Sequence, residues 1–326
     1  MTADKKRVFI IGSGFSASMG LPTLNGLFDK IMTFPERPGE TDKRNINTAL
    51  DFLYPHFDVS ITPPSYPPFE EFLSLVIAAE DFPFFWKGTW QSWRNSALRL
   101  LTDFMADKSK EAENSSLLHK FVDNLKDGDV IITFNWDTLI ERALLEQSKK
   151  INFKARDNEA ISIFKLHGSL NWVDIPEDLS LKYPESVYPL ADRVVYTPDY
   201  RYYDVWDVLD SPPLIVPPGL SKRVVVNQIF KDICNEAFQS ISSADNVAFI
   251  GYSIPRDDIQ ARSLLSLGWY SRMHDSTKDK IKYILIDPDP EICGRYASII
   301  SNDFDYYQTY FNENVLPVVF SHDENR

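Results

Sequence analysis

Cysteine is nearly absent: the 326-residue chain holds two, Cys234 and Cys293, far apart and without metal-ligand spacing. They can build neither a disulfide framework nor a cysteine zinc site, and the expected setting is a reducing one, the cytoplasm. Basic charge is short as well. Thirty-four Lys and Arg stand against 47 Asp and Glu, a net charge of −13. That argues against a broad nucleic-acid or anionic-membrane surface, since both need clustered cations. Long apolar runs are missing too: none approaches the ~20 residues a bilayer crossing takes. The short run after Lys5, Lys6 and Arg7 is broken by Gly12 and Gly14, so it does not read as a secretory leader. There is no internal repeat and no low-complexity segment. Hydrophobic residues at 44% with 25% charged are ordinary for a globular chain and exclude global disorder.

What is present is organised around Arg7 to Pro22, RVFIIGSGFSASMGLP. Val8 to Ile11 is a β-branched run suited to a central parallel strand. Gly12 and Gly14 allow a sharp turn and close approach of a ligand, and Ser16 or Ser18 is placed to cap the helix that follows. With Ala17 they fit G-x-G-x-x-G/A in its strand-turn-helix context, where a pyrophosphate sits on the helix N-terminus. A tight turn in some other α/β protein fits the same residues.

After Pro22 the pattern turns helical until about Asp127. Phe69, Phe72, Leu73, Val76 and Ile77 make one amphipathic face, with Glu70, Glu71 and Ser74 outward; Leu117, Leu118, Phe121, Val122 and Leu125 make another. The prolines of TPPSYPP, 62 to 68, demand a loop. The aromatic cluster Phe82, Phe84, Phe85, Trp86, Trp90 and Trp93 reads as core packing ahead of a subunit interface. Strands are expected at Val130–Phe134, Ile161–Leu166, Leu214–Val216, Asn246–Ile250 and Ile281–Ile286, and helices at Thr138–Glu146 and Val224–Ser240. Asp257 and Asp258 read as a loop entering another helix. Residues 173–213 give little periodicity. The fold class is α/β: a Rossmann-like parallel sheet with helices on both faces, formed by 1–25 and 127–326, and a large helical insertion over 26–126.

In such sheets ligands bind outside the carboxyl ends of the strands. Polar residues collect there. Asn135, Trp136 and Asp137 follow one strand; His167, Gly168 and Ser169 another; Gly251, Tyr252 and Ser253 a third; Asp287 a fourth. His167 is the acid-base candidate, while the other histidines, His56, His119, His274 and His322, fall in loops, helices or the tail. Asp287 suits either a ribose hydroxyl or a plain turn before Pro288.

GSGFSASMGLP at 12–22, TFNWD at 133–137 and KLHGSLNW at 165–172, in that order, resemble the SIR2 family. Sirtuins carry G-A-G-x-S then G-I-P, T-x-N-x-D and H-G, and GYS at 251–253 is similar to their G-T-S turn. The resemblance implies a catalytic set of His167, Asn135 and Asp137. It implies a cofactor-binding set of Gly12, Ser13, Gly14, Phe15, Ser16, Pro22, Thr133, Gly251, Ser253 and Asp287. Protein-deacylating sirtuins also carry a four-cysteine zinc module after the histidine, and this chain has no cysteine before Cys234. Pro217-Pro218-Gly219 stands where they have F-G-E. The zinc-free layout with a helical insertion resembles instead the SIR2-like NADases of bacterial anti-phage defence.

That resemblance implies hydrolysis of NAD, as substrate, to nicotinamide and ADP-ribose, with no zinc. It further implies a homo-oligomer or a neighbouring sensor, such as a nucleic-acid-binding ATPase, that gates the activity. A zinc-free protein deacylase and a non-catalytic NAD or ADP-ribose binding module are the alternatives.

Overall fold

The computed structural model describes residues 6–34, 40–56, 66–80, 87–174, 188–190, 194–196, 212–217, 228–274, 281–301 and 303–320. Among them, strands β1 (Arg7–Ile11), β2 (Val130–Thr133), β3 (Ile151–Asn152), β4 (Ile161–Lys165), β9 (Asn246–Ile250), β10 (Lys282–Ile286) and β11 (Asp305–Tyr307) form one sheet. Their order is β11-β10-β9-β1-β2-β4-β3, and every pairing is parallel. From β1 the chain first builds one half of the sheet, through β2 to β4, and then the other, through β9 to β11. The strand order therefore reverses between β1 and β9, which is the switch point where open α/β sheets leave a crevice.

Both faces of the sheet are covered, which is why β1 tolerates apolar residues at every position. Phe9 and its neighbour Phe249 lie in adjacent rows and so point to opposite faces. Phe9 packs on Phe121 of α6 (Ser116–Asp123) and Phe320 of α11 (Leu316–Phe320), while Phe249 packs on Tyr296 of α10 (Ile292–Ala297). The sheet thus has helices on both sides, as expected.

Helices α1 (Ser13–Ala17), α2 (Leu27–Thr33), α3 (Glu40–Leu53), α4 (Phe69–Ala79), α5 (Lys87–Ala112) and α6 lie between β1 and β2. Phe69, Phe72, Leu73 and Val76 of α4 are buried as the 3.6-residue period requires. Trp90 and Trp93 on α5 are buried edge-to-face, ring centroids 4.9 Å apart, which favours the core reading. The rest of that aromatic cluster, Phe82 to Trp86, lies outside the described residues. So do residues 62–65 of the proline loop, Pro218, Gly219, residues 224–227 and His322.

Further on, α7 (Leu139–Glu146) follows β2, α8 (Gln228–Ser243) precedes β9, and α9 (Ile259–Met273) precedes β10. A second, antiparallel sheet of β5 (Gly168–Asp174), β6 (Tyr188–Pro189), β7 (Val194–Tyr196) and β8 (Pro213–Ile215), in the order β6-β7-β5-β8, was not expected from the sequence. Gly168 and Ser169, expected only as polar and small residues following the strand Ile161–Leu166, open β5, with Gly168 at φ +73.

One local expectation fails. No serine caps α1; Gly12 takes the N-cap position in extended backbone, and Ser16 is inside the helix. The turn is instead bound by backbone. Gly14 N–H donates to Gly251 O at 2.9 Å and Gly12 N–H to Ile250 O at 3.1 Å. A Cβ on Gly251 would lie 2.5 Å from Gly14 C and Phe15 N, and Gly251 has φ +59.

Gly251→Ala is therefore expected to lower unfolding free energy by more than about 2 kcal/mol, since strained backbone and a clash act together. Gly26→Ala, at φ +63 with nothing within 4 Å of its added Cβ, should cost about 1 kcal/mol. Urea midpoints of the two variants measure the difference; equal values would remove the close-approach explanation.

Candidate active site

The carboxyl ends of the central strands open on one cavity. Gly12, Ser13, Ser16 and Pro22 line it after β1, Phe134 to Asp137 after β2, His167 after β4, and Gly251 to Ser253, Pro255 and Asp258 after β9. Leu24 in the loop before α2, and Leu27, Glu70, Leu101 and Met105 on the helices between β1 and β2, close it.

Asn135, Ser16 and Asp137 form a directed chain. Asn135 Nδ2 donates to Gly12 O at 2.9 Å and to Ser16 Oγ at 3.0 Å; Ser16 Oγ donates to Asp137 Oδ2 at 2.8 Å. Both amide hydrogens are thereby used inside the protein, so the Asn135 side chain can meet a ligand only as an acceptor, through Oδ1. Asp137 is an acceptor as well, with Oδ1 taking Leu139 N–H at 3.2 Å. Thr133 supports the chain from below, its Oγ1 accepting Asn135 N–H at 3.1 Å. The Asp137 carbonyl is held by Lys165 Nζ, which also pairs with Glu141 Oε1 at 2.7 Å. Lys165 and Glu141 are 1% and 5% exposed at the side chain, so this is a fully desolvated pair.

His167 stands at the joint between the two sheets. Its carbonyl accepts Val216 N–H at 2.9 Å, just past β8, and a Cβ on Gly168 would strike Leu214 O at 1.9 Å. The ring packs edge-on to Phe134, which stacks on Tyr252 with centroids 4.0 Å apart. Nε2 lies 2.9 Å from Asp258 Oδ2, at ion-pairing distance but off the direction of a good hydrogen bond. Asp258 is fully buried. Its Oδ1 caps α9 through Ala261 N–H at 3.2 Å, and its Oδ2 accepts the Tyr252 hydroxyl at 3.3 Å. Burial and then the Asp258 charge push the Tyr252 hydroxyl well above its ordinary pKa, keeping it a donor. Beside Ser253, Ile254 has φ +47, a left-handed conformation that strains a β-branched residue by roughly 1–3 kcal/mol.

Of the residues named from sequence, Gly12, Ser13, Ser16, Pro22, Asn135, Asp137, His167, Gly251 and Ser253 meet at the cavity. Four do not line it. Gly14 is pressed against Gly251, the Phe15 ring packs on Phe121 and Phe311, and Thr133 lies behind Asn135. Asp287 accepts Asp289 N–H at 2.9 Å in a local turn, and burial raises its pKa.

Two cavity residues went unread. Asp258 is legible as a helix cap, but its contact with His167 spans 91 positions and has no local signature. Glu70, expected outward, is turned to the cavity and half-buried. Burial, followed by the charges of Asp257 and Asp258, pushes its pKa up to about 8.

A family model described as a SIR2-like domain matches residues 129–298, from the start of β2 to the end of α10. The chain belongs to the SIR2-like family. This SIR2-like chain shares 14% identity with the sirtuin of a study on the structural basis of sirtuin substrate affinity, at TM-score 0.46, over 98% of this chain and 94% of that one. A Sir2 in complex with the inhibitor EX-527, 2'-O-acetyl-ADP-ribose and deacetylated p53 peptide shares 15%, at TM-score 0.43, over 96% and 90%. A Sir2 with p53 peptide and NAD+ shares 16%, at TM-score 0.43, over the same fractions. No curated protein matches the chain. Among the described residues no helix is long and apolar enough to cross a membrane.

Breaking the buried pair with Glu141→Ala should cost about 3–5 kcal/mol, because Lys165 is left charged and unpaired. Glu141→Leu with Lys165→Met should restore most of that stability. A double variant as unstable as the single one would show that packing, not charge, is at stake.

Glu70 yields a pH signature. Its folded pKa exceeds the ordinary 4.5, so the folded state retains a proton the unfolded chain loses. The contribution of Glu70 to stability should therefore be fully present below about pH 4.5 and be lost as pH rises toward 8. In Glu70→Gln that decline should shrink, and superimposable wild-type and variant stability profiles would contradict the raised pKa.

Proposed function

We propose that this SIR2-like chain hydrolyses NAD+ at the nicotinamide–ribose bond. The observation that carries the reading is the meeting of the His167–Asp258 pair with the Asn135–Ser16–Asp137 chain in one cavity at the switch point of the sheet. Water attacks C1′ of the ribose while the C1′–N1 bond breaks, and the bonding pair goes to the pyridine nitrogen. Nicotinamide leaves neutral, so no strong general acid is required. The transition state resembles an oxocarbenium ion, as in other glycoside cleavages.

His167 takes the water proton, and Asp258 at 2.9 Å is placed to hold the ring and balance the charge it gains. Asn135, restricted to accepting, orients the water or a ribose hydroxyl. Asp137, also an acceptor, suits the amide N–H groups of the nicotinamide carboxamide. The glycine turn and Ser253 take the phosphate and ribose end. Gly14 N–H is engaged with Gly251, so the N–H groups available there are fewer than a free helix end would offer.

Two features of the sequence favour hydrolysis over deacylation: only two cysteines are present, too few for a four-cysteine zinc module, and Pro217-Pro218-Gly219 stands in place of F-G-E. We read residues 26–126 as an insertion in the NAD-binding core 1–25 and 127–326. By family resemblance we assign the protein to cytoplasmic anti-phage defence through NAD depletion, its activity held in check by oligomerisation or by a sensor protein.

The test is incubation of purified full-length protein with NAD+, followed by chromatographic separation. Nicotinamide and ADP-ribose are expected from wild type, with the rate reduced about 10²–10⁴-fold in His167→Ala and strongly in Asn135→Ala. Nicotinamide formed only when an acylated peptide is added would make the protein a deacylase.

A further inference from the structure

Three carboxylic acids, Glu70, Asp137 and Asp258, line the cavity, and among its described lining residues there is neither Lys nor Arg. Where these acids lie, the lining suits a cation. NAD+ carries a single positive group, the nicotinamide ring; in NADH that ring is neutral. Two of the acids are committed. Asp137 accepts from Ser16 and from Leu139 N–H, and Asp258 accepts from Tyr252 and Ala261 N–H beside His167. Glu70 lies in the first turn of α4, and what acts on its carboxyl is burial and the charges of Asp257 and Asp258.

We propose that Glu70 is the counter-ion of the nicotinamide ring of bound NAD+ and gives up its proton when that ring enters. The proposal rests on the NAD reading above. The charges acting on Glu70 are those of Asp257 and Asp258, from the segment leading into α9; the other titratable groups lining the cavity are Asp137 and His167 from the strand ends and Tyr252 after β9, and α2 and α5 line it with apolar side chains, Leu27, Leu101 and Met105. Burial and the like charges of Asp257 and Asp258 keep this carboxyl protonated at neutral pH. A pyridinium ring supplies the opposite charge and displaces that proton. Glu70 thereby distinguishes the oxidised dinucleotide from the reduced one by charge, a task that shape alone performs badly because the two rings are nearly the same size.

The test uses the carbocyclic analogue of NAD+, which keeps the cationic ring but cannot be cleaved, because without the ribose ring oxygen no oxocarbenium ion forms. Its association constant with the full chain is measured by calorimetry from pH 6 to 9, alongside NADH. For wild type, affinity for the analogue should rise close to tenfold per pH unit up to about pH 8 and then level off. At pH 7, binding of the analogue should release a proton, read from buffers of different ionisation enthalpy. NADH should show no such slope, and Glu70→Gln should remove it for the analogue. The same slope in Glu70→Gln, the same slope with NADH, or a flat wild-type profile would overturn the counter-ion role while leaving NAD binding intact. Absence of binding by both dinucleotides would overturn the NAD reading itself.

Discussion

The structure depends on a contact between two backbone turns that leaves no room for a side chain. Gly12 and Gly14 after β1 meet Gly251 after β9, the strands on either side of the switch point, and each turn donates or accepts through main-chain atoms. Any Cβ on these three residues would fall 2.5 to 2.7 Å from a neighbouring backbone atom. Because β1 and β9 are paired in register from Arg7–Asn246 to Ile11–Ile250, the turns emerge side by side. The glycines thus weld the two halves of the sheet at the point where a crevice opens. Ser13, Ser16, Tyr252 and Ser253 face that crevice as a consequence.

A second constraint works through His167. Parallel strand β4 ends at Lys165, and antiparallel strand β5 begins at Gly168, so the histidine occupies a two-residue joint clamped from both sheets. The left-handed Gly168 makes the change of direction possible, and the bond from Val216 to the His167 carbonyl anchors it to β8. Lys165, one residue before the joint, ties the Asp137 carbonyl to buried Glu141. The two loops that supply the candidate catalytic groups are therefore held to one another by charge as well as by the sheet.

Electrostatics then divide the cavity. Its lining carries carboxyl groups and a histidine, and the helices between β1 and β2 add Glu70 and an apolar wall. Like charges crowded out of water raise one another's cost of ionisation, and together with burial they push the pKa of Glu70 up to about 8.

Much of this was legible in local sequence. β-branched runs ending in Gly or polar residues located β1, β2, β4, β9 and β10, and a 3.6-residue period located α4 and α6, because apolar burial leaves a periodic trace in a covered strand or a packed helix. Motif order also grouped Asn135, Asp137 and His167 with the glycine turn, since strand-end residues of one parallel sheet share an edge. What tertiary structure alone decided are the contacts with no local trace. β5 begins at Gly168, directly after β4, where no second strand was expected. Asp258 caps its own helix, as sequence allows, yet also meets a histidine 91 positions earlier. Glu70 obeys the helical period of α4 as a polar residue beside an apolar face, and only the placement of α4 over the sheet edge turns that residue from solvent to the cavity. Periodicity encodes which face of an element is buried; it carries no record of what a polar side chain at the edge of that face will meet.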